Sequence, residues 1–127
     1  MILGIGTDIA ALARIESLHL RYGERFARRI LSETEMTEFF KHAHPARLLM
    51  KRFAAKEALA KALGTGLRHP VSMTQMTVTH DELGKPGFVF SLQLLDYIEQ
   101  FGISRHHLSI SDERDMAVAF VILEGES

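Results

Sequence analysis

The sequence predicts an α+β fold with a small antiparallel-rich sheet packed against helices, on three observations. Helical and strand-like stretches are mixed along the chain. The strand-like stretches of the C-terminal half are separated by turn chemistry, which makes hairpins and few parallel crossovers. Arg52 to Gly66, RFAAKEALAKALGTG, reads as an alanine-rich helix running into a glycine-broken loop, and its small side chains let it lie close against a neighbouring strand or a ligand. The 127 residues suit one domain over 1–127. A hydrophobic content of 46 % and a net charge of −1 describe an ordinary globule, with no argument for nucleic acid or membrane binding. The absence of cysteine excludes disulfides, thiol catalysis and cysteine-rich metal sites, and it fits a reducing cytoplasm. MILGIGTD has no basic start and its apolar run is interrupted by Asp8, so no secretory signal is expected.

Ile2 to Ile5 is a short apolar run that predicts a buried strand ending at Gly6. Asp8 then stands at or just past the strand end, placed either to cap the next helix or to meet a ligand. Ala11 to Tyr22 carries Leu12, Ile15 and Leu18 on one helical stripe. Gly23 breaks it, and Glu24 to Leu31 continues as a second segment. Arg14, Arg21, Arg25, Arg28 and Arg29 form a local basic patch, either a solvated face or a dock for an acidic partner. Ser32 followed by Glu35 is a capping-box signature for a helix from Glu33 to about His42. His42, His44 and Pro45 mark a loop whose histidines are read as solvated, and the long helix begins near Ala46. On it, Glu57 and Lys61 lie one turn apart on one face, flanked by Phe53 and Gly64. Arg52 and Lys56 form a second polar row. On spacing alone, Glu57 and Lys61 also fit an exposed helical ion pair.

Leu67 to Pro70 is a loop. Gln75 to Thr79 alternates as a strand, DELGKPG at 81–87 is a turn, and Phe88 to Phe90 returns as the second arm of a hairpin. Leu92 to Phe101 is a helix stopped by Gly102. His106 to Ser111 alternates, with His107, Ser109 and Ser111 on one side and Leu108 and Ile110 on the other. Asp112 to Asp115 turns, and Met116 to Leu123 is the longest apolar run, expected at the sheet centre.

Four stretches occur in order: GIGTDI at 4–9, RFAAKEALAKALGTG at 52–66, ELGKP at 82–86 and HLSISDE at 107–113. Together, over nearly the whole chain, they resemble the bacterial holo-acyl-carrier-protein synthases, a branch of the 4′-phosphopantetheinyl transferases. GxGxD alone is weak and KEAxxKAxG is moderately specific; the ordered set is strong. The resemblance implies a 4′-phosphopantetheinyl transferase-like fold. It also implies transfer of phosphopantetheine from coenzyme A to a serine of apo acyl carrier protein in fatty acid biosynthesis, with adenosine 3′,5′-bisphosphate as the other product.

The chemistry explains the residue types. Attack of a serine oxygen on a pyrophosphate phosphorus spreads negative charge over phosphoryl oxygens, and Mg²⁺ with one or two carboxylates offsets it. By resemblance Asp8 and Glu57 are the Mg²⁺ ligands, and Lys61 is the cation that approaches the pyrophosphate. The serine proton goes to Glu57 or to a metal-bound water; the residues alone do not separate the two. Arg52 matches a basic position suited to phosphate. The loop Gly64, Thr65, Gly66 and the turn Gly84, Lys85, Pro86 match loops that line the nucleotide, where glycine permits close backbone approach. His107 matches a histidine near the nucleotide, or else makes a cross-strand polar contact. Many relatives carry a second histidine just beyond; here Ser111 and Asp112 occupy that part, so no role is assigned through it.

The resemblance also turns the basic patch into a dock for the acidic carrier, with Arg14, Arg25 and Arg29 at matching positions. It implies a homotrimer with each active site between two subunits. Two other readings use the same residues. A Mg²⁺-dependent hydrolase of the coenzyme A diphosphate would need the carboxylates but no dock. A non-catalytic module binding coenzyme A or a carrier would leave Asp8 and Glu57 dispensable.

Overall fold

The computed structural model describes residues 1–126. Among them the elements run β1 (Ile2–Ala11), α1 (Leu12–Tyr22), α2 (Glu24–Ile30), α3 (Glu33–Lys41), α4 (Pro45–Leu63), a short 3₁₀ turn (Met73–Gln75), β2 (Met76–His80), β3 (Pro86–Phe90), α5 (Leu92–Gln100), β4 (Ile103–Asp112) and β5 (Met116–Gly125). β1, β5 and β4 form one antiparallel sheet with β5 in the centre, as its long apolar run predicts, and β2 and β3 form the expected hairpin. The class is α+β.

Element boundaries differ from expectation chiefly at β1. Gly6 does not end the strand: β1 continues through Thr7 and Asp8 to Ala11. The glycines serve an approach rather than a stop. A Cβ on Gly4 would lie 2.1 Å from the Ala62 carbonyl oxygen, and one on Gly6 would lie 1.8 Å from that of Ala58. Only glycine lets α4 rest directly on the strand. The alanines of α4 complete the fit: Ala54, Ala55, Ala58 and Ala60 are all buried. Capping by Asp8 is also ruled out, because α1 starts after Ala11 with no side-chain cap.

α4 is the central helix. Pro45 opens it, and Gly64 closes it in the left-handed region at φ 76°. Its expected second polar row is corrected by the structure: Arg52 is 2 % and Lys56 0 % exposed. Both charges are answered inside the protein. Lys56 Nζ donates to Glu35 Oε1 at 2.5 Å, to the Ile30 carbonyl at 2.7 Å and to the Met73 carbonyl at 2.9 Å. Arg52 Nη2 donates to both oxygens of Glu38 at 3.1 Å, and its Nε lies 3.4 Å from Glu35. Burial draws the Lys56 ammonium down to about 8, while Glu35 acts against that shift.

The capping box of α3 forms as its signature predicts. Ser32 Oγ accepts from the Glu35 amide, and Glu35 Oε1 accepts from the Ser32 amide. Glu35 Oε2 also accepts from the Val78 amide, so the cap residue ties α3 to β2. The two sheets meet through His106: the Phe88 amide donates to His106 Nε2 at 3.3 Å, and the Phe90 ring stands edge-on to it at 5.2 Å.

Candidate active site

Laying α4 on β1 brings three side chains together. Gly4, Gly6 and Asp8 alternate onto the strand face that meets the helix. Glu57 and Lys61 stand one turn apart at the same seam. Lys61 Nζ donates to Asp8 Oδ1 at 3.1 Å. The other Asp8 oxygen, Oδ2, is buried with no hydrogen-bond partner. Burial, and then the Asp8 charge, push the Glu57 carboxyl above its ordinary range, while Lys61 and Arg14 pull the other way. Two neighbouring carboxylates, one with an orphaned oxygen, are an electrostatic deficit that a hard divalent cation fits.

Glu57 opens into a groove of about 420 Å³. One wall comes from α1 and α2, with Leu18, Tyr22, Arg25, Phe26, Arg29 and Ile30. The other comes from Phe53 of α4, Leu67 and Met73. The groove is apolar within and carries arginines on one side. Arg14 stands 5.8 Å above the Phe53 ring, next to Glu57. The basic patch is therefore divided. Arg25 and Arg29 line the groove and Arg14 stands over Phe53 beside it, whereas Arg28 is tied to Glu24 at 2.6 Å and Arg21 stacks on Tyr22.

A second, smaller cleft of about 120 Å³ lies on a different side of α4 from Glu57. Lys51, Arg52, His80, Gly84, Pro86, Ile110 and Asp112 line it. Lys85 closes the adjoining turn: its amide donates to Asp81 Oδ1, and its carbonyl accepts from the Asp81 amide. Asp112 pairs with Arg47 at 2.7 Å, and the same guanidinium bonds the carbonyls of Glu113 and Arg114, pinning the β4–β5 turn to the start of α4. Gly64, Thr65 and Gly66 follow Lys61 directly, in the loop that leaves α4.

His107 is not brought to Asp8. It pairs with Ile122, and Ile122 with Ile5, on the face of the sheet turned away from α4. There its Nε2 lies 2.5 Å from Glu124 Oε1, and Arg105 bonds the same carboxylate. That outer face exposes Ile5 (63 %), Ile9 (61 %), Phe120 (52 %) and Ile122 (37 %).

A sequence profile of the 4′-phosphopantetheinyl transferase superfamily matches residues 4–121. The chain belongs to that superfamily. A holo-[acyl-carrier-protein] synthase of Nitrosospira multiformis is 60 % identical over 98 % of this chain and 99 % of its own. The crystal structure of the Neisseria meningitidis synthase superposes with a TM-score of 0.95 at 51 % identity, covering 98 % of this chain and 99 % of that one. The Bacillus anthracis synthase, solved in complex with CoA (3′,5′-ADP), superposes with a TM-score of 0.82 at 38 % identity, covering 99 % of each chain. This phosphopantetheinyl transferase therefore has the fold its motifs imply.

Within the transferase chain, the structure unites Asp8, Glu57 and Lys61, lines one groove with Arg25 and Arg29, and sets Arg14 over Phe53 beside it. It keeps Arg52, the Gly84–Pro86 turn and His107 apart from that centre. Two features were missed by sequence reasoning. The buried Lys56–Glu35 pair was hidden because Glu35 already had a sufficient local reason in its cap. The groove walls at Leu67 and Met73 sit in a stretch with no periodic signal.

Proposed function

We propose that the chain transfers the 4′-phosphopantetheine of coenzyme A to a serine of apo acyl carrier protein, serving fatty acid biosynthesis in the cytoplasm, and releases adenosine 3′,5′-bisphosphate. One observation carries the reading. The Asp8–Glu57–Lys61 cluster opens into an apolar groove rimmed by Arg25 and Arg29, in a chain close in sequence to synthases of that name. Asp8 and Glu57 would hold Mg²⁺, which when bound neutralises diphosphate charge and orients the phosphoryl group. The buried, unpartnered Asp8 Oδ2 supports that assignment. Among the described residues no third carboxylate, histidine or cysteine joins them, which leaves room for diphosphate oxygens and water.

The protein's own groups then divide the work. Lys61 sits at the end of α4 with its side chain 54 % exposed, so it can exchange Asp8 for a diphosphate oxygen and offset charge on the leaving phosphate. Glu57, made more basic by burial and by Asp8, is the group of this chain best placed to hold the serine proton at its carboxylate. Gly64, Thr65 and Gly66 offer a close backbone approach beside Lys61. Gly84, Lys85 and Pro86 line the nucleotide, with Arg52 in the wall of the same cleft. Arg52 is already bound to Glu38, so it shapes a phosphate site more than it supplies a free charge. Arg14, Arg25 and Arg29 steer the acidic carrier toward the groove, and the apolar side chains that line it take the carrier's apolar contacts.

The molecule acts as a homotrimer, on this reading. The exposed apolar outer face of β1 and β5 supports self-association. The separation of His107 and the Gly84–Pro86 turn from Asp8 supports sites completed by a neighbouring subunit. The deciding experiment is intact-mass analysis of an apo carrier incubated with the protein, coenzyme A and Mg²⁺. A gain of one phosphopantetheine is expected. Cleavage of coenzyme A without a carrier would favour a hydrolase, and binding without turnover a non-catalytic module.

A further inference from the structure

Lys56 precedes Glu57 on α4 but points the other way, into the protein, and the transfer chemistry makes no use of it. Its ammonium is fully buried and spends all three of its donors. One goes to Glu35 of α3. The other two go to main-chain carbonyls of residues from different segments, Ile30 at the end of α2 and Met73 in the 3₁₀ turn. Ile30 and Met73 are also lining residues of the groove that Glu57 opens into. One nitrogen thus ties two lining segments of the groove, the end of α2 and the 3₁₀ turn, to the helix that carries Glu57.

Charge balance alone does not require this arrangement. Glu35 already accepts from the Ser32 and Val78 amides and faces Arg52. A buried ammonium is expensive to desolvate, and an apolar side chain of similar length would fill the same space more cheaply. What an apolar residue cannot do is bind two carbonyls and fix the distance between their segments. Ile30 and Met73 are buried, yet the regular backbone around each is short. α2 is one of the shortest helices, and the 3₁₀ turn follows an irregular stretch from Gly64 to Ser72.

We propose that Lys56 is a positioning residue for carrier recognition: by tying the Ile30 and Met73 carbonyls to α4 it fixes where those two lining segments stand in the groove beside Glu57. The proposal rests on the reading of that groove as the carrier site. It assigns Lys56 no contact with substrate. Its effect falls on how the carrier segment is received, while the Asp8–Glu57–Lys61 seam, held by α4 against β1, stays in place.

The test uses the full chain and two perturbations. Lys56→Met combined with Glu35→Gln removes both charges at once, and the buried Arg52 that Glu35 also faces keeps its pairing with Glu38. A main-chain ester between Met73 and Thr74 weakens the Met73 carbonyl as an acceptor and leaves every side chain intact. Transfer is measured against apo-carrier concentration at saturating coenzyme A, and against coenzyme A at saturating carrier. The expected result for each is a carrier KM raised about tenfold, equivalent to about 1.4 kcal/mol, with the coenzyme A KM within about twofold of wild type and kcat little changed. A folded protein of either kind with a wild-type carrier KM overturns the proposal. So does a parallel loss of kcat and of both affinities, which would mean that Lys56 merely supports α4. Should the double variant not fold, the ester form decides alone. Failure of the underlying reading looks different, since wild-type protein would then transfer nothing to any carrier.

Discussion

Lys61 Nζ lies 3.1 Å from Asp8 Oδ1, joining residues 53 positions apart across the seam between α4 and β1. As an ion pair with a half-exposed lysine it adds little stability. Its importance is positional, because it places a mobile cation and two carboxylates within one small volume.

Asp8→Ala and Glu57→Gln are each expected to lower phosphopantetheine transfer roughly 100-fold or more. Chelation should silence the wild type reversibly, with Mg²⁺ restoring it. Yet Glu57→Gln should raise the melting temperature in metal-free buffer, since it removes a partly buried charge beside Asp8. Rates from intact-mass assays and melting curves on the same samples check both halves.

Gly6→Ala should be far worse than its single methyl suggests. The new Cβ would sit 1.8 Å from the Ala58 carbonyl oxygen and 2.7 Å from the Ala62 nitrogen, both main-chain atoms that cannot step aside. A loss of about 3 kcal/mol or more is expected, together with activity. Gly87→Ala, whose Cβ would meet nothing nearer than Thr79 Oγ1 at 3.8 Å, is the matched control and should change stability little. Chemical denaturation compares them.

Acid should weaken the junction of the two sheets through His106. Burial, chiefly, holds this imidazole below its ordinary value of 6.5. Its Nε2 accepts the Phe88 amide and so keeps a lone pair. A base with a depressed folded pKa takes up protons more readily when unfolded, so its contribution is present above 6.5 and lost as pH falls through the lower, folded value. His106→Gln should flatten that part of the stability curve between pH 7 and 5, as read from melting temperature.

Arg14→Glu is expected to raise the carrier KM about tenfold and leave the coenzyme A KM nearly unchanged. The wild-type carrier KM should itself climb with salt as charge steering is screened. Steady-state kinetics at two ionic strengths measure both effects, and equal carrier kinetics for variant and wild type would remove the docking role.

Phe120→Glu places a charge on the exposed outer face of β5. It should dissociate the proposed homotrimer, as read by light scattering, and abolish transfer while circular dichroism stays native. A fully active monomer would reject the shared-site picture.

Much of the centre was legible because its determinants are local. A carboxylate following two alternate glycines, and a Glu–Lys turn on an alanine-rich helix, are visible as letters. That the glycines serve helix contact rather than a strand end was not, since glycine signals both. The burial of Arg52 and Lys56 was equally hidden. Spacing tells which residues share a helical face, but not that a distant Glu35 waits beneath it. His106 escaped notice because its neighbour His107 carried the motif, and only the pairing of the two sheets reveals its partner.

Where α4 is seated across Gly4 and Gly6 of β1, no β1 side chain lies between them to adjust. Carbonyl oxygens of the helix meet bare glycines of the strand, so the helix can neither roll nor slide without collision. Evolution can therefore do little at the chemical centre except preserve it. With the groove as the proposed carrier site, new carrier preferences would arise in the surrounding α1, α2 and the Leu67–Met73 stretch, away from that seat. A library built to retarget this enzyme would best leave both partners of that seat untouched.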